Sequence, residues 1–294
     1  MLKYWLIAIR PKTLSVAVVP VLVGSTLAWI QSRALNWPVM GVALLAAILI
    51  QAGTNLHNDA ADFERGADHS ATRLGPTRVT AQGWLSAAQV KRGAAISFGL
   101  ALLGGCYLVW VGGWPILMVG LASIAAGWAY TGGPRPVAYS SLGELFVWLF
   151  FGLVAVAGSY YLQTGQLTGG ALIAGALLGM PAAAVLVVNN YRDLDNDKQS
   201  GKNTLAVRLG RRASQVEYTL LMLAPFALLP LLQAVGAPGP GWVLPWLLLP
   251  WALQLVGRFR YETPGPVFNQ LLAATAQFQL GFGLLLCLGL LGLH

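Results

Sequence analysis

Charge is what this sequence has least of. Asp, Glu, Lys and Arg together make up only 10% of its 294 residues, against about a quarter in soluble domains. With 56% hydrophobic residues and a mean hydropathy of +0.65, a water-soluble globular chain is excluded and a lipid bilayer is the expected surrounding. Cysteine is equally scarce. Cys106 and Cys287 both lie inside apolar runs, where they read as small buried hydrophobes and not as a disulfide or a thiolate metal site. His57, His69 and His294 are scattered, so no Cys/His spacing of the zinc type exists. No low-complexity tail or long linker divides the chain, and one domain over residues 1–294 is expected. The N-terminal run carries Lys3, Arg10 and Lys12 with no small-residue cleavage site, which reads as a mature helix and not a cleaved leader. The net charge of +8 could invite nucleic acid. The cations sit in short loops between apolar segments, however, as juxtamembrane charges do, so no nucleic-acid partner is expected.

Apolar runs are plentiful. A spanning helix needs about 20 such residues, and nine stretches qualify: roughly 13–32, 37–57, 92–112, 114–131, 141–162, 168–190, 215–235, 241–257 and 268–292. The expected fold is therefore all-α, a polytopic bundle of nine transmembrane helices. If the chain alternates sides through nine spans, one side receives every Lys and Arg of the 18 except Arg33. The positive-inside rule then places the N-terminus in the cytoplasm and the C-terminus outside.

The acids are concentrated. Of the ten, seven are Asp59, Asp62, Glu64, Asp68, Asp193, Asp195 and Asp197, each set closing a long apolar run. On a helix Asn189, Asp193 and Asp197 fall within roughly 80° of one another, and Asn55, Asp59 and Asp62 within about 60°. Asp195 points away. Both sets fall at the same expected end of the bundle, just before basic loops.

Carboxylate and amide oxygens of this kind suit Mg²⁺, with Mn²⁺ as the alternative, shared with substrate phosphates. Arg73, Arg78, Lys91, Lys198, Lys202 and Arg208 in the adjoining loops could hold phosphate oxygens. The helices beneath are rich in Phe, Trp, Leu and Gly, which suits a hydrocarbon tail, so a lipid diphosphate is the economical ligand. Simpler readings stand beside this one. Glu64, Asp68 and Asp195 read as solvated loop charges, Arg258 and Arg260 as topology determinants, and Tyr160, Tyr161 and the tryptophans as belt residues.

These residues resemble the UbiA superfamily of intramembrane aromatic prenyltransferases, most closely its naphthoate branch. The resemblance rests on Arg10-Pro11-Lys12-Thr13-Leu14, Asn55 through Asp68, Arg73-Leu74-Gly75-Pro76 with Arg78, and Tyr130-Thr131-Gly132-Gly133-Pro134-Arg135-Pro136. Leu142-Gly143-Glu144, Phe150-Phe151-Gly152 and Asn189 through Gly210 complete it. It implies a lipid-facing helical cavity in the bacterial cytoplasmic membrane. It also implies a polyprenyl diphosphate donor and 1,4-dihydroxy-2-naphthoate as acceptor. Asp59, Asp62, Asp193 and Asp197 would carry catalysis and, with Asn55 and Asn189, hold the metal. Arg10, Lys12, Arg78, Lys202 and Arg208 would bind diphosphate; Tyr130, Tyr139 and Arg135 would contact the acceptor. Where many members carry a third acid after the first motif, this chain has Gly66, with Asp68 two residues on. A sister enzyme with another aromatic acceptor such as 4-hydroxybenzoate or homogentisate is the near alternative. A cation-coupled transporter is the remote one, since its charges belong near the midplane.

Overall fold

A computed structural model describes residues 1–66, 74–236 and 239–292. Among these the chain is helical with no strand. Helix α1 (Leu2–Ile9) meets α2 (Pro11–Ser32) at Arg10, whose left-handed backbone (φ 54°) makes the joint, with Pro11 opening α2 where a missing N–H costs nothing. Helix α3 (Trp37–Glu64) starts where Asn36 Oδ1 accepts from Val39 N–H at 3.2 Å. It ends at Gly66, whose φ of 74° turns the chain out; the helix stops just where a third acid of the motif would stand.

Helix α4 (Ala87–Gly112) begins with a capping box of Ser86 and Gln89 and leads by a tight turn into α5 (Trp114–Ala129). Next comes one continuous rod made of α6 (Gly143–Trp148), a π-helical turn (Leu149–Val154) and α7 (Ala155–Thr164). Helix α8 (Gly169–Gln199) follows, then α9 (Leu205–Leu228), broken at Gly210 (φ 80°), and a short α10 (Leu231–Ala234). A 3₁₀ segment (Gly241–Leu248) runs into α11 (Leu249–Tyr261), and α12 (Phe268–Gly292) closes the bundle.

By length and composition, six of the helical segments can cross a bilayer: α2, α3, α4, the α6–α7 rod, α8 and α12. The other three expected spans fall on α5, α9 and the 3₁₀–α11 pair. Helix α5 has only 16 residues. Helix α9 carries Arg208, Arg211, Arg212 and Glu217, and α11 alone has 13 residues.

Helix α8 is the axis of the bundle. Of its apolar window 72% is buried, against 17% for α4 at the periphery. Lipid tails are as apolar as leucine, so such helices hold together by close packing of small residues. The π turn supplies it: a Cβ on Gly152 would lie 2.5 Å from the Gly175 carbonyl oxygen and 2.7 Å from Gly179 Cα. Trp148 Nε1 donates to the Ala176 carbonyl at 3.0 Å beside this contact.

An aromatic cluster locks the charged end of α8. The Tyr191 ring lies 4.5 Å from Phe259 and 5.5 Å from Phe268, and Tyr218 stacks on Phe259 at 4.2 Å. Tyr218 Oη and Thr275 Oγ1 share a hydrogen bond of 2.8 Å. The last helices thus position the acids of α8 by gripping the residue between Asn190 and Arg192. Tyr160, expected at a belt, is buried in the same core. Both cysteines are free, Cys287 buried and Cys106 exposed.

Candidate active site

One cavity of about 900 Å³ runs along the inside of the bundle. Its long arm is apolar, walled by Val21, Ala47, Leu108, Ile116, Val119 and Leu162 from α2 to α7. Its other end is polar. Helix α3 contributes Asn55, Asn58 and Asp62; α8 contributes Asn189, Asn190, Asp193, Asn196 and Asp197. Arg10, Lys12, Arg78 and Lys202 complete this end with Tyr130, Thr131 and Asn269. The two Asn/Asp helix ends therefore converge, although 134 residues separate Asn55 from Asn189.

Each acid at the cavity is held by a cation. Arg78 Nη2 donates to Asp62 Oδ2 at 2.7 Å, both side chains buried. Arg192 grips Asp193 with two bonds, Nε to Oδ1 at 2.9 Å and Nη2 to Oδ2 at 2.5 Å. The same guanidinium donates to Asn189 Oδ1 at 2.8 Å and Asn269 Oδ1 at 2.7 Å. Asn269 Nδ2 donates onward to the Leu74 carbonyl at 2.8 Å, which ties α12 and the first basic loop to α8. Lys202 Nζ lies 3.4 Å from Asp197 Oδ1. Its backbone N–H donates to the Asp197 carbonyl at 2.9 Å, so the turn after α8 folds the lysine back over the acid. Asn55 spends its amide N–H groups on Ile9 O (2.9 Å) and Thr13 Oγ1 (3.3 Å), fixing the α1–α2 joint and hence Arg10.

Four expected contacts are absent from the cavity wall. Asp59 is 1% exposed and its carboxylate is turned aside. Its oxygens accept from Val79 N–H (3.1 Å), Thr80 N–H (3.1 Å) and Thr80 Oγ1 (2.5 Å), so it clamps the loop that carries Arg78. Angular spacing on α3 could not give the sign of the offset: Asp59 and Asn58 flank the line from Asn55 to Asp62 on opposite sides, and the cavity lies on the side of Asn58. Arg208 is exposed and donates to Ser141 Oγ at 3.1 Å. Arg135 is exposed as well. Tyr139 lies behind the wall: its hydroxyl donates to Asp62 Oδ1 at 3.3 Å, and its ring is flanked by Arg65 (5.3 Å) and Lys202 (5.0 Å). Burial and then the neighbouring Asp62 charge push its phenol up to about 12, so it stays a hydrogen-bond donor.

The residues that spacing did not single out are amides and one arginine. Asn58 and Asn196 line the cavity, and Arg192 is 2% exposed at the heart of the site. Asn58 was accessible by pattern, since it lies three residues from Asn55 and four from Asp62 on one helical stripe. Glu64 and Asp195 behave as surface charges, paired with Lys91 at 2.6 Å and Arg211 at 2.8 Å. Asp68 and Arg73 lie outside the described residues.

A divalent metal fits the chemistry of this donor set. Three carboxylates and the amide oxygens of Asn58, Asn189 and Asn196 are hard oxygen ligands of the kind Mg²⁺ takes. Among the described residues no three His, Cys, Asp or Glu side chains close on a common point; Arg78, Arg192 and Lys202 neutralise the acids instead.

Comparison with known proteins gives the family and the fold. The UbiA prenyltransferase family model matches residues 17–276. The chain is 35% identical over 295 residues to the 1,4-dihydroxy-2-naphthoate octaprenyltransferase of Escherichia coli, covering 97% of this chain and 94% of that one. It is 32% identical over 289 residues to the Bacillus subtilis protein of the same name, covering 96% and 90%. In fold it is similar to a UbiA homolog from Archaeoglobus fulgidus solved with GPP and Mg²⁺, with a TM-score of 0.71 at 15% identity over 97% of this chain and 99% of that one. The chain belongs to the UbiA prenyltransferase family.

Proposed function

We propose that this family member transfers a polyprenyl group from its diphosphate to 1,4-dihydroxy-2-naphthoate, with loss of diphosphate and CO₂, to give demethylmenaquinone. The observation that carries the reading is the convergence of Asn58 and Asp62 with Asn189, Asp193 and Asp197 at the mouth of a long apolar cavity. The 35% identity to a naphthoate octaprenyltransferase over nearly the whole chain supports the choice of acceptor.

The long arm takes the prenyl tail. The polar end takes the diphosphate, with Arg10, Lys12, Arg78 and Lys202 against its oxygens. Asp62, Asp193 and Asp197, with Asn58, Asn189 and Asn196, form the metal-holding set; Asp59 serves as the clamp of the Arg78 loop. Bound Mg²⁺ supplies Lewis-acid neutralisation of the leaving diphosphate. Breaking the allylic C–O bond leaves an electron-poor prenyl carbon, which the cationic side chains balance by stabilising the departing charge. The apolar arm keeps water from that carbon until the electron-rich ring attacks. The whole of 1–294 acts as one domain in the bacterial cytoplasmic membrane. Seventeen of the 18 Lys and Arg residues favour a cytoplasmic N-terminus and site.

The test is a membrane assay with radiolabelled prenyl diphosphate, offering 1,4-dihydroxy-2-naphthoate and 4-hydroxybenzoate in parallel. Prenylation of the naphthoate with CO₂ release, abolished by EDTA and restored by Mg²⁺, is expected. Transfer to the benzoate alone refutes the acceptor, and EDTA-resistant transfer refutes the metal.

A further inference from the structure

Glu144 is a buried carboxylate that the reaction described above does not use. It stands in the first turn of α6 and is 6% exposed. Among the described residues no cation pairs with it. Its Oε1 accepts from Asn190 Nδ2 at 2.7 Å, and its Oε2 is buried with no hydrogen-bond partner. A carboxylate kept in such surroundings is costly unless it performs a task.

Its one bond has a definite consequence. That bond turns the NH₂ group of Asn190 toward Glu144, the amide's donor side. The amide oxygen of Asn190 is then the atom left for the cavity, which Asn190 lines. On α8 Asn190 lies about 100° from Asn189 and in line with Leu186, one turn earlier. The neighbouring cavity wall is Leu186, Tyr130, Phe146 and Phe150, with the two phenylalanine rings 5.8 Å apart. The Tyr130 hydroxyl sits close to the start of α6, 3.8 Å from where a Cβ on Gly143 would be. Diphosphate oxygens are acceptors and cannot bond to an amide oxygen. An aromatic ring bearing a hydroxyl can both stack against this wall and donate to it.

We propose that Glu144 is a positioning residue for the aromatic acceptor: it fixes the Asn190 carboxamide so that its oxygen receives a hydroxyl of the acceptor ring. This rests on the prenyl-transfer reading and deepens it by locating the acceptor on the side of α8 next to the π turn. The packing of Gly152 on Gly175 and Gly179 sets the height of α6 against α8 and hence the Glu144–Asn190 distance.

The experiment is steady-state kinetics on the full chain in membranes, varying each substrate in turn. Glu144→Leu and Asn190→Leu should each raise the KM for the aromatic acid by about tenfold, the worth of one lost hydrogen bond. The KM for prenyl diphosphate should stay within about twofold, because its ligands are untouched. The double variant should be no worse than either single one, since both remove the same contact. Glu144→Gln keeps an acceptor for Asn190 Nδ2 and should restore most of the wild-type KM. Parallel rises for both substrates, additive losses, or a glutamine variant as impaired as the leucine one overturn the assignment. If Glu144→Leu does not accumulate, Asn190→Leu and Glu144→Gln carry the same comparison. Wild-type turnover of the naphthoate tests the reaction; the KM split among variants tests Glu144.

Discussion

Asp59 and Asp62 are three residues apart on one helix, and the structure gives them opposite work. Replacing each by asparagine separates the two roles. In Asp59→Asn the Oδ1 position can keep both Thr80 bonds, at 3.1 and 2.5 Å. The new NH₂ then faces the Val79 N–H, which lies 3.1 Å from Oδ2. One buried donor is orphaned against another, a cost of about 1–3 kcal/mol. That lowers the melting temperature by roughly 3–8 °C and leaves the cavity wall intact. Transfer measured well below that temperature should remain within about threefold of wild type.

Asp62→Asn removes a charge from the polar end of the cavity itself and turns the 2.7 Å ion pair with Arg78 into a hydrogen bond to a neutral acceptor. Melting should fall by a comparable amount, because the buried Arg78 charge loses its opposite charge. Transfer should drop by roughly a hundredfold or more, the scale seen when one electrostatic element of a transition-state site is lost. The assay is radiolabelled prenyl transfer in membranes alongside thermal unfolding of detergent-solubilised protein. Activity lost in Asp59→Asn with unchanged melting, and kept in Asp62→Asn, would refute the division of labour.

Two further outcomes follow from contacts at the edge of the site and in the packing. Lys202→Ala should raise the KM for prenyl diphosphate by about tenfold or more, whereas Arg208→Ala should leave it nearly unchanged, because Arg208 is exposed and bonded to Ser141; equal effects in the two variants would return Arg208 to the diphosphate site. Gly152→Val should prevent accumulation of folded protein, since its first side-chain atom would lie 2.5 Å from backbone of α8, whereas Gly120→Val, with no atom within 4 Å of a Cβ, should accumulate normally; this is read by solubilised yield and gel filtration.

The architecture was largely legible because membrane solubility imposes long apolar runs. Helix positions for α2, α3, α8 and α12 follow from that alone. The span count was less legible. Helix α9 dilutes its apolar stretch with Arg208, Arg211, Arg212 and Glu217, and the 3₁₀ segment from Gly241 splits the stretch before α11. The paired Asn/Asp helix ends stood out because charge in so apolar a chain is rare, and the fold brings both to one cavity. Which side of α3 faces the cavity was not, for 3.6-residue periodicity fixes relative angles and leaves the absolute rotation to packing. That rotation exchanges Asp59 for Asn58. Arg192 was hidden for a different reason: among basic loop residues it reads as a topology charge, and only the fold shows it reaching Asp193, Asn189 and Asn269 together.

The polar end also explains why so many charges survive inside this bundle. Asp62, Asp193 and Asp197 line it against Arg10, Lys12, Arg78 and Lys202, and Arg192 adds a fifth cation bonded to Asp193. Along the wall itself three acids face four bases, an excess of one positive charge; behind the wall Arg192 is offset by the buried Asp59 and Glu144. An isolated ion there would be destabilising by several kcal/mol, so each acid is matched with a cation. The excess along the wall remains as a standing preference for an anion. On the proposed reading a diphosphate entering with a divalent metal would meet both halves of the site at once, oxygen ligands for the metal and guanidinium or ammonium groups for the phosphates. The apolar arm then selects, among such anions, those that carry a hydrocarbon chain.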